Sequence, residues 1–305
     1  MMSDKTLLII AGPTAVGKTA LAVALAKHFN TVVLSADARQ CYKEMQIGTA
    51  KPNLEEQQGI PHFFIDTHSI TEALSVADYE RYALQVLHQL FLEKDIVVVC
   101  GGTGLYINAL CEGIDLMPAI DPAIEDEVNK LYASGGVAAL QKALQQEDPL
   151  FAQKGEMENP HRMLRALAFK RSVGESIIQY QTHTPKERPF KCVKIALEMP
   201  RVMLYDRINH RVDAMVANGL LDEVQALLCY KDHKNFQTVG YQELLPFFEG
   251  TAALEECLNL IKQHTRNYAK RQITWFKNKG NFKHFNASAT DLLQQILAEI
   301  KKANA

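Results

Sequence analysis

The sequence predicts an α/β fold, in which a parallel sheet core with helices on both faces carries an inserted all-helical domain. Three observations support this prediction. Short apolar runs alternate with helical patterns over the first hundred residues, a glycine-rich loop follows the first of these runs, and a purely helical block separates two strand-like runs. Because a glycine-rich loop between a strand and a helix is typical of P-loop NTPase-like proteins, we expect that variant of the fold.

The strand-like runs of the N-terminal part are Thr6–Gly12, Val32–Ala36, His62–Asp66 and Ile96–Cys100. Between the last two runs, Val76–Glu93 repeats its apolar residues at helical spacing. Strands that alternate with helices pair in parallel, so these runs predict one parallel sheet.

The pattern changes after Met117-Pro118. Asp121-Pro122 predicts a helix N-cap followed by proline at the first helical position, and Gly135-Gly136 predicts a break between two helices. Helical patterns continue to about residue 184, and Cys192–Leu197 is again strand-like. A helical block between two strands of one sheet indicates an insertion.

We therefore expect residues 1–118 and 186–305 to form a discontinuous catalytic core and residues 119–185 to form a helical insertion domain. The C-terminal part of the core is predicted to be mostly helical, with Arg201–Asn218, Tyr241–Phe248 and Leu254–Lys279 as helices and Phe282–Asn286 as a short strand.

Composition excludes several classes of protein. Hydrophobic residues make up 47% of the chain and charged residues 22%, with 33 Lys and Arg against 35 Asp and Glu. No apolar run is long enough for a membrane span. The six cysteines lie far apart without a C-x-x-C pair, so neither a disulfide framework nor a zinc site is predicted. We expect a cytoplasmic protein with reduced thiols, a monomer that does not bind membranes.

The most informative motif is GPTAVGKT, which matches G-x-x-x-x-G-K-[ST]. The backbone amides of such a loop and the N-terminus of the following helix face a phosphate group. Lys18 supplies a positive charge, and the hydroxyl of Thr19 can bind Mg²⁺. The predicted diphosphate-binding residues are Gly12, Pro13, Thr14, Ala15, Val16, Gly17, Lys18 and Thr19.

Two further strand ends face the same crevice. Asp37 follows the second strand, where a general base or a Mg²⁺ ligand would lie, although an aspartate there is equally typical of a turn cap. The fourth strand ends in Gly101-Gly102-Thr103-Gly104, where many P-loop NTPases have a Walker-B aspartate. The absence of an acidic residue at this strand end argues against an ordinary ATPase.

A basic run extends from Leu258 to Phe285 and contains no Asp or Glu. Lys262, Arg266 and Lys270 follow one another at four-residue spacing, with aromatic residues between them. Two interpretations are open, since such a stripe suits contact with a nucleic-acid backbone but also a solvated helix face.

Seven motifs in order resemble those of the tRNA dimethylallyltransferases (tRNA isopentenyltransferases). They are GPTAVGKT at Gly12–Thr19, SADARQCYKEMQIGTAKP at Ser35–Pro52, GGTGLY at Gly101–Tyr106, NPHRMLRAL at Asn159–Leu167, DRINHRVDAM at Asp206–Met215, VGYQE at Val239–Glu243 and TRNYAKRQITWF at Thr265–Phe276. The resemblance is to bacterial-type members, because the C-terminal zinc-finger extension of eukaryotic members is absent.

This resemblance implies that a dimethylallyl group passes from dimethylallyl diphosphate to N6 of the adenosine at tRNA position 37, next to the anticodon. It implies that Asp37 orients the amine or accepts its proton, whereas Lys18, Thr19 with Mg²⁺, and Arg207 stabilise the departing diphosphate. The helical insertion would hold the anticodon stem-loop. The residues that match family contacts with tRNA are Asp37, Ala38, Arg39, Gln40, Thr103, His161, Arg162, Met163, Leu164, Arg165, Gln237, Thr238, Val239, Gly240, Tyr241 and Gln242.

Three other functions are compatible with parts of the sequence. A prenyltransferase acting on free adenine nucleotides would need neither the insertion nor the basic run, and a small-molecule kinase would transfer the γ-phosphate of ATP. An RNA-binding module with a vestigial site would not need Lys18, Thr19, Asp37 and Arg207 together.

Overall fold

A computed structural model of the chain describes residues 5–182 and 184–304, so residues 1–4 and 305 of the predicted core and residue 183 of the predicted insertion lie outside the described residues. The chain divides into two compact units, one formed by Met1–Glu112 with Glu187–Ala305 and the other by Gly113–Lys186. All six cysteines are free thiols.

Six strands form the sheet of the first unit: β1 (Thr6–Ala11), β2 (Val33–Ser35), β3 (His62–Phe63), β4 (Ile96–Gly101), β5 (Lys191–Glu198) and β6 (Lys283–Asn286). Their order is β3-β2-β4-β1-β5-β6, and every neighbouring pair is parallel. Because β1 lies between β4 and β5, the loop after β1 leaves the middle of the sheet. The predicted parallel α/β sheet is confirmed.

The described helices are α1 (Lys18–His28), α2 (Leu54–Gln57), α3 (Val76–Leu90), α4 (Gly104–Glu112), α5 (Pro122–Glu147), α6 (Pro149–Lys154), α7 (Pro160–Val173), α8 (Ile177–Tyr180), α9 (Arg201–Ala217), α10 (Leu220–Ala226), α11 (Leu245–Phe248), α12 (Leu254–Asn278) and α13 (Leu292–Asn304), with short 3₁₀ turns at Leu228–Tyr230 and Gln242–Leu244. Along residues 5–182 and 184–304, every helix is too short or too polar to cross a membrane.

Both faces of the sheet are buried. Leu7 and Ile9 of β1 belong to one apolar core, and Leu8 and Ile10 belong to a second core on the opposite face. Since side chains alternate along a strand, a continuous apolar run such as β1 requires helices on both sides. This explains why β1 consists of apolar residues after Thr6.

The second unit contains helices α5 to α8 around a core of its own, which includes Leu140, Leu144, Met163 and Phe169. Asp121 caps α5, because its Oδ1 accepts a hydrogen bond from the Ala123 amide at 2.9 Å. The predicted helix break also occurs, since Gly136 interrupts α5 with a positive φ of 61°.

Two predicted elements differ from the structure. The predicted strand at residues 62–66 is only two residues long, because Phe64 and Asp66 adopt positive φ angles of 61° and 54° that end extended pairing. The predicted helix at residues 241–248 is a 3₁₀ turn followed by the short helix α11, and Pro246 lies in the first turn of α11, where its missing amide costs no hydrogen bond.

Candidate active site at the carboxyl end of the sheet

The glycine-rich loop connects β1 to α1 at the carboxyl edge of the sheet. Gly12 has a φ of 144°, and a Cβ at this position would lie 2.7 Å from the carbonyl oxygen of Leu197. Gly17 caps α1 with a left-handed φ of 105°. Glycine is the residue that tolerates a positive φ and a close backbone contact without strain. Gly12 and Gly17 therefore determine the curvature of the loop. The first amides of α1 have no carbonyl partner within the helix and are donors suited to an anion.

Lys18 begins α1 beside this loop. Its Nζ donates a hydrogen bond to the Pro13 carbonyl oxygen at 2.8 Å. Burial lowers the pKa of Lys18 to about 8, and the positive charge of Arg211 acts in the same direction, whereas the Asp37 carboxylate opposes it. Lys18 and Asp37 are therefore close enough to interact, although they follow different strands.

Asp37 lies in the turn after β2. Its Oδ1 accepts hydrogen bonds from the amides of Arg39 at 2.9 Å and Gln40 at 3.4 Å. None of the residues that the structure describes donates a hydrogen bond to Oδ2. One oxygen thus caps the turn and the other is available to a substrate. The interpretation of Asp37 as a turn cap is therefore compatible with its interpretation as a general base.

The Gly101–Gly104 turn after β4 holds the Asp37 turn from one side. The Thr103 amide donates to the Ala36 carbonyl oxygen at 3.1 Å, and Thr103 Oγ1 accepts from the Ala38 amide at 3.0 Å. Burial together with the negative charge of Asp37 raises the pKa of Tyr268, on α12, to about 12. Thr103 therefore positions both residues that flank Asp37.

Residues 40–51 anchor the same turn from the opposite side. Gln40 Nε2 donates to the Ala50 carbonyl oxygen at 3.0 Å. The Glu223 carboxylate of α10 accepts hydrogen bonds from the backbone amides of Gln46, Ile47 and Gly48 at 2.8–3.0 Å. A half-buried carboxylate with three amide donors gives this loop one conformation.

Helix α9 contributes two arginines to the glycine-rich loop. Arg207 Nη1 donates to the Val16 carbonyl oxygen at 3.2 Å, and Arg211 Nη1 donates to Thr14 Oγ1 at 3.4 Å. Arg207 was predicted, whereas sequence reasoning missed Arg211. The sequence feature that could have identified Arg211 is its four-residue spacing from Arg207, which places both arginines on one helical face.

The structure divides the basic stripe on α12 into two residues that contact α9 and one that is exposed. Lys262 forms an ion pair with Asp213 at 2.5 Å, and Arg266 donates to Asn209 Oδ1 at 2.8 Å. Arg266 and Lys270 both lie 6.0 Å from the ring centroid of Tyr205. Lys262 and Arg266 therefore face α9, whereas Lys270 is exposed.

Lys270 and five further residues at the C-terminal end of α12 line an open recess of about 380 Å³. These residues combine positive charge with one half-buried indole ring, and they are Lys270, Arg271, Thr274, Trp275, Asn278 and Lys279. Cations beside an aromatic face suit contact with phosphate groups and bases.

The predicted tRNA-contact residues of the first unit differ in exposure. Gln237 is exposed, and Val239 and Gln242 are half-buried. Tyr241 is fully buried, and its hydroxyl donates to Glu223 at 2.7 Å. The Tyr241 ring therefore packs in the core, and the contact of segment Gln237–Gln242 with tRNA stays a prediction.

The predicted contact residues of the Gly113–Lys186 unit lie in the first turns of α7. His161, Arg162 and Arg165 are exposed, and Arg162 pairs with Glu156. Met163 is fully buried in the core of this unit, and the contact of segment His161–Arg165 with tRNA stays a prediction. Helical periodicity explains the difference, because consecutive residues of one turn cannot all face outward.

Comparison with known proteins decides the family. A family model described as IPP transferase matches residues 40–279. The chain belongs to the IPP transferase family. A tRNA dimethylallyltransferase of Cytophaga hutchinsonii is 43% identical over 300 residues, covering 98% of this chain and 99% of the relative. A tRNA dimethylallyltransferase of Christiangramia forsetii is 43% identical over 279 residues, or 92% of each chain.

Solved IPP transferases have the same fold. The tRNA isopentenylpyrophosphate transferase of Bacillus halodurans superposes with a TM-score of 0.74 at 37% identity, covering 99% of this chain and 97% of that one. A eukaryotic dimethylallyltransferase acting on tRNA superposes with a TM-score of 0.79 at 26% identity, covering 98% of this chain and 79% of that one. The family predicted from the seven motifs is confirmed, and this chain is a transferase.

Proposed function

We propose that this chain transfers a dimethylallyl group from dimethylallyl diphosphate to N6 of adenosine 37 in tRNA and releases diphosphate. The observation that supports this most directly is the proximity of a diphosphate loop to a carboxylate. The turn after β4 lies against both segments, since a Cβ on Gly101 would lie 2.2 Å from the Ala36 carbonyl oxygen and one on Gly102 would lie 3.4 Å from the Gly12 carbonyl oxygen. Such a pair combines a site for an anionic leaving group with a site for a nucleophilic amine. We also propose that the chain acts as a monomer in the cytoplasm.

In the proposed reaction, the adenine N6 attacks C1 of the dimethylallyl group while the bond from C1 to the diphosphate oxygen breaks. Asp37 Oδ2 accepts a hydrogen bond from N6 and then its proton, because Oδ1 is engaged by the turn amides. The adenosine has to leave the base stack to reach this carboxylate.

Negative charge develops on the diphosphate as the C–O bond breaks. The amides at the start of α1, the Lys18 ammonium and the Arg207 guanidinium stabilise this charge from three sides of the loop. Arg211 is a fourth donor, because its guanidinium lies against Thr14.

Thr19 is the protein group that would hold Mg²⁺. In the described part of the chain, no group of three or more His, Cys, Asp or Glu side chains is arranged to hold a metal ion. A hydroxyl oxygen in the first turn of α1, beside a diphosphate site, suits Mg²⁺, which prefers oxygen ligands and commonly binds substrate phosphates. When bound, the ion would neutralise part of the charge of the leaving group.

For tRNA, the proposal assigns contacts to Asp37–Gln40, Thr103 and the exposed or half-buried residues of Gln237–Gln242. His161, Arg162 and Arg165 of the insertion would contact the anticodon stem-loop. The recess along α12 would add a cationic and aromatic surface, which is a favourable environment for single-stranded loop nucleotides.

The test of this function compares tRNA with a free nucleotide. Isotopically labelled dimethylallyl diphosphate is incubated with the protein and unmodified tRNA carrying adenosine 37, without ATP, and we expect label in tRNA. The matched control is the same tRNA with guanosine at position 37, which should stay unlabelled. A parallel incubation replaces tRNA with AMP, and label in AMP but not in tRNA would refute the assigned substrate. Transfer of the γ-phosphate of added ATP, without any prenyl transfer, would indicate a kinase.

The lowered pKa of Lys18 predicts how substrate binding depends on pH. Lysine is cationic below its pKa, so lowering that pKa to about 8 means that the charge is lost as the pH rises above 8. We expect the dissociation constant for dimethylallyl diphosphate, measured by calorimetry, to rise about tenfold per pH unit above that value. Lys18→Arg should bind with no such dependence up to pH 9.5, because arginine stays charged. A flat profile for the native protein would contradict the role of Lys18.

A further inference from the structure

Gln272 occupies a central position in the site that the mechanism above does not use. It lies in α12 and is buried, with 6% of its surface exposed. Its Oε1 accepts a hydrogen bond from the Thr14 amide at 2.8 Å, and its Nε2 donates to the Gly102 carbonyl oxygen at 3.0 Å. One side-chain amide thus joins the glycine-rich loop to the turn after β4.

The orientation of this amide is determined by its partners. Thr14 offers a donor and Gly102 an acceptor, so a flipped amide would lose both hydrogen bonds. The fit is also tight, because a Cβ on Gly102 would lie 2.2 Å from Gln272 Nε2. Since the site is buried, an unpaired amide or carbonyl here would be costly.

Each partner of Gln272 leads to one half of the reaction site. Thr14 belongs to the loop that ends at Lys18 and Thr19. Gly102 precedes Thr103, which hydrogen-bonds to Ala36 and Ala38 on either side of Asp37. The chain of contacts therefore runs from the diphosphate loop through Gln272 to the carboxylate.

We propose that Gln272 is a positioning residue that sets the separation between the diphosphate loop and Asp37. This proposal rests on the proposed function, because the separation matters only where a leaving group and an attacking amine occupy the two sites. The dimethylallyl carbon lies between them when one bond breaks and the other forms, and rates are sensitive to displacements of about 1 Å.

The decisive variant is Gln272→Glu, which keeps the size of the side chain and the acceptor for Thr14. A carboxylate has no donor for Gly102 and places a second oxygen against its carbonyl oxygen. We expect kcat to fall about 10- to 100-fold at pH 8, with little change in the KM for dimethylallyl diphosphate or tRNA.

The same variant offers a rescue. A protonated glutamic acid reproduces the glutamine pattern, because its hydroxyl donates to Gly102 while its carbonyl oxygen accepts from Thr14. Burial raises the pKa of a carboxyl group, so the kcat of Gln272→Glu relative to the native protein should recover as the pH falls from 8 to 6. A purely structural defect would not follow this titration. Gln263→Glu, an exposed position on the same helix, is the matched control and should give a constant ratio.

A second variant, Gln272→Met, removes both hydrogen bonds and should lower kcat and also weaken binding of inorganic diphosphate about tenfold. Calorimetry with inorganic diphosphate reports on the loop without any transfer reaction. A native protein that binds diphosphate but does not prenylate tRNA would refute the proposed function alone. Unchanged diphosphate affinity in Gln272→Met, or an unchanged kcat or a pH-independent defect in Gln272→Glu, would refute the role of Gln272.

Discussion

Replacement of Asp37 by asparagine is expected to lower the rate of prenyl transfer to tRNA by about 10²- to 10⁴-fold, the usual contribution of a general base. Asparagine keeps the oxygen that accepts the Arg39 amide, so the turn should persist. What disappears is the ability of the second carboxylate oxygen to take the proton from N6. Single-turnover transfer from labelled dimethylallyl diphosphate measures this step.

The matched control is Asp291→Asn, an exposed position that precedes α13. At pH 6.5, where the Lys18 ammonium is charged, both variants should bind dimethylallyl diphosphate with the affinity of the native protein, because neither change touches the glycine-rich loop. If Asp37→Asn transferred the prenyl group at a rate comparable to Asp291→Asn, Asp37 would not be the base.

The second large effect is expected at Arg207. Its guanidinium lies against the glycine-rich loop, within hydrogen-bonding distance of the Val16 carbonyl oxygen. Arg207→Ala should lower kcat by about 10²- to 10³-fold, since it removes a cation at the place where leaving-group charge develops. Arg207→Lys should recover only part of the rate, because lysine supplies the charge without the planar set of donors.

Arg201→Ala provides the comparison, because Arg201 is an exposed arginine at the first residue of the same helix. Its rate should match that of the native protein. Steady-state kinetics with tRNA at saturation separates the two variants. Equal rates for Arg207→Ala and Arg201→Ala would mean that Arg207 does not act on the leaving group.

The glycine-rich loop was predictable because its geometry is local. An apolar strand, two glycines at fixed spacing and a helix start are consecutive in the chain, and they determine the direction of the amides. The parallel sheet was predictable for a related reason, since alternation of strands and helices leaves few topologies. Asp37 was placed correctly at the end of β2 for the same reason.

Other features depended on contacts between distant segments. The spacing of Lys262, Arg266 and Lys270 describes one face of a helix, but it does not reveal whether that face meets solvent or another helix. In the structure, Lys262 and Arg266 contact α9, whereas Lys270 is exposed. Likewise, a motif match cannot separate Tyr241, which packs in the core, from its exposed neighbour Gln237.

By itself, the sequence determined the family, the parallel sheet, the diphosphate loop and the position of Asp37, because each follows from residues that are neighbours in the chain. Only the tertiary structure decided what holds the loop and Asp37 at their separation. Gln272 lies 258 residues from Thr14 and 170 residues from Gly102, yet one buried amide pairs with both. Hydrogen bonds across such separations arise from the packing of α12 against the sheet edge, and no local pattern encodes them.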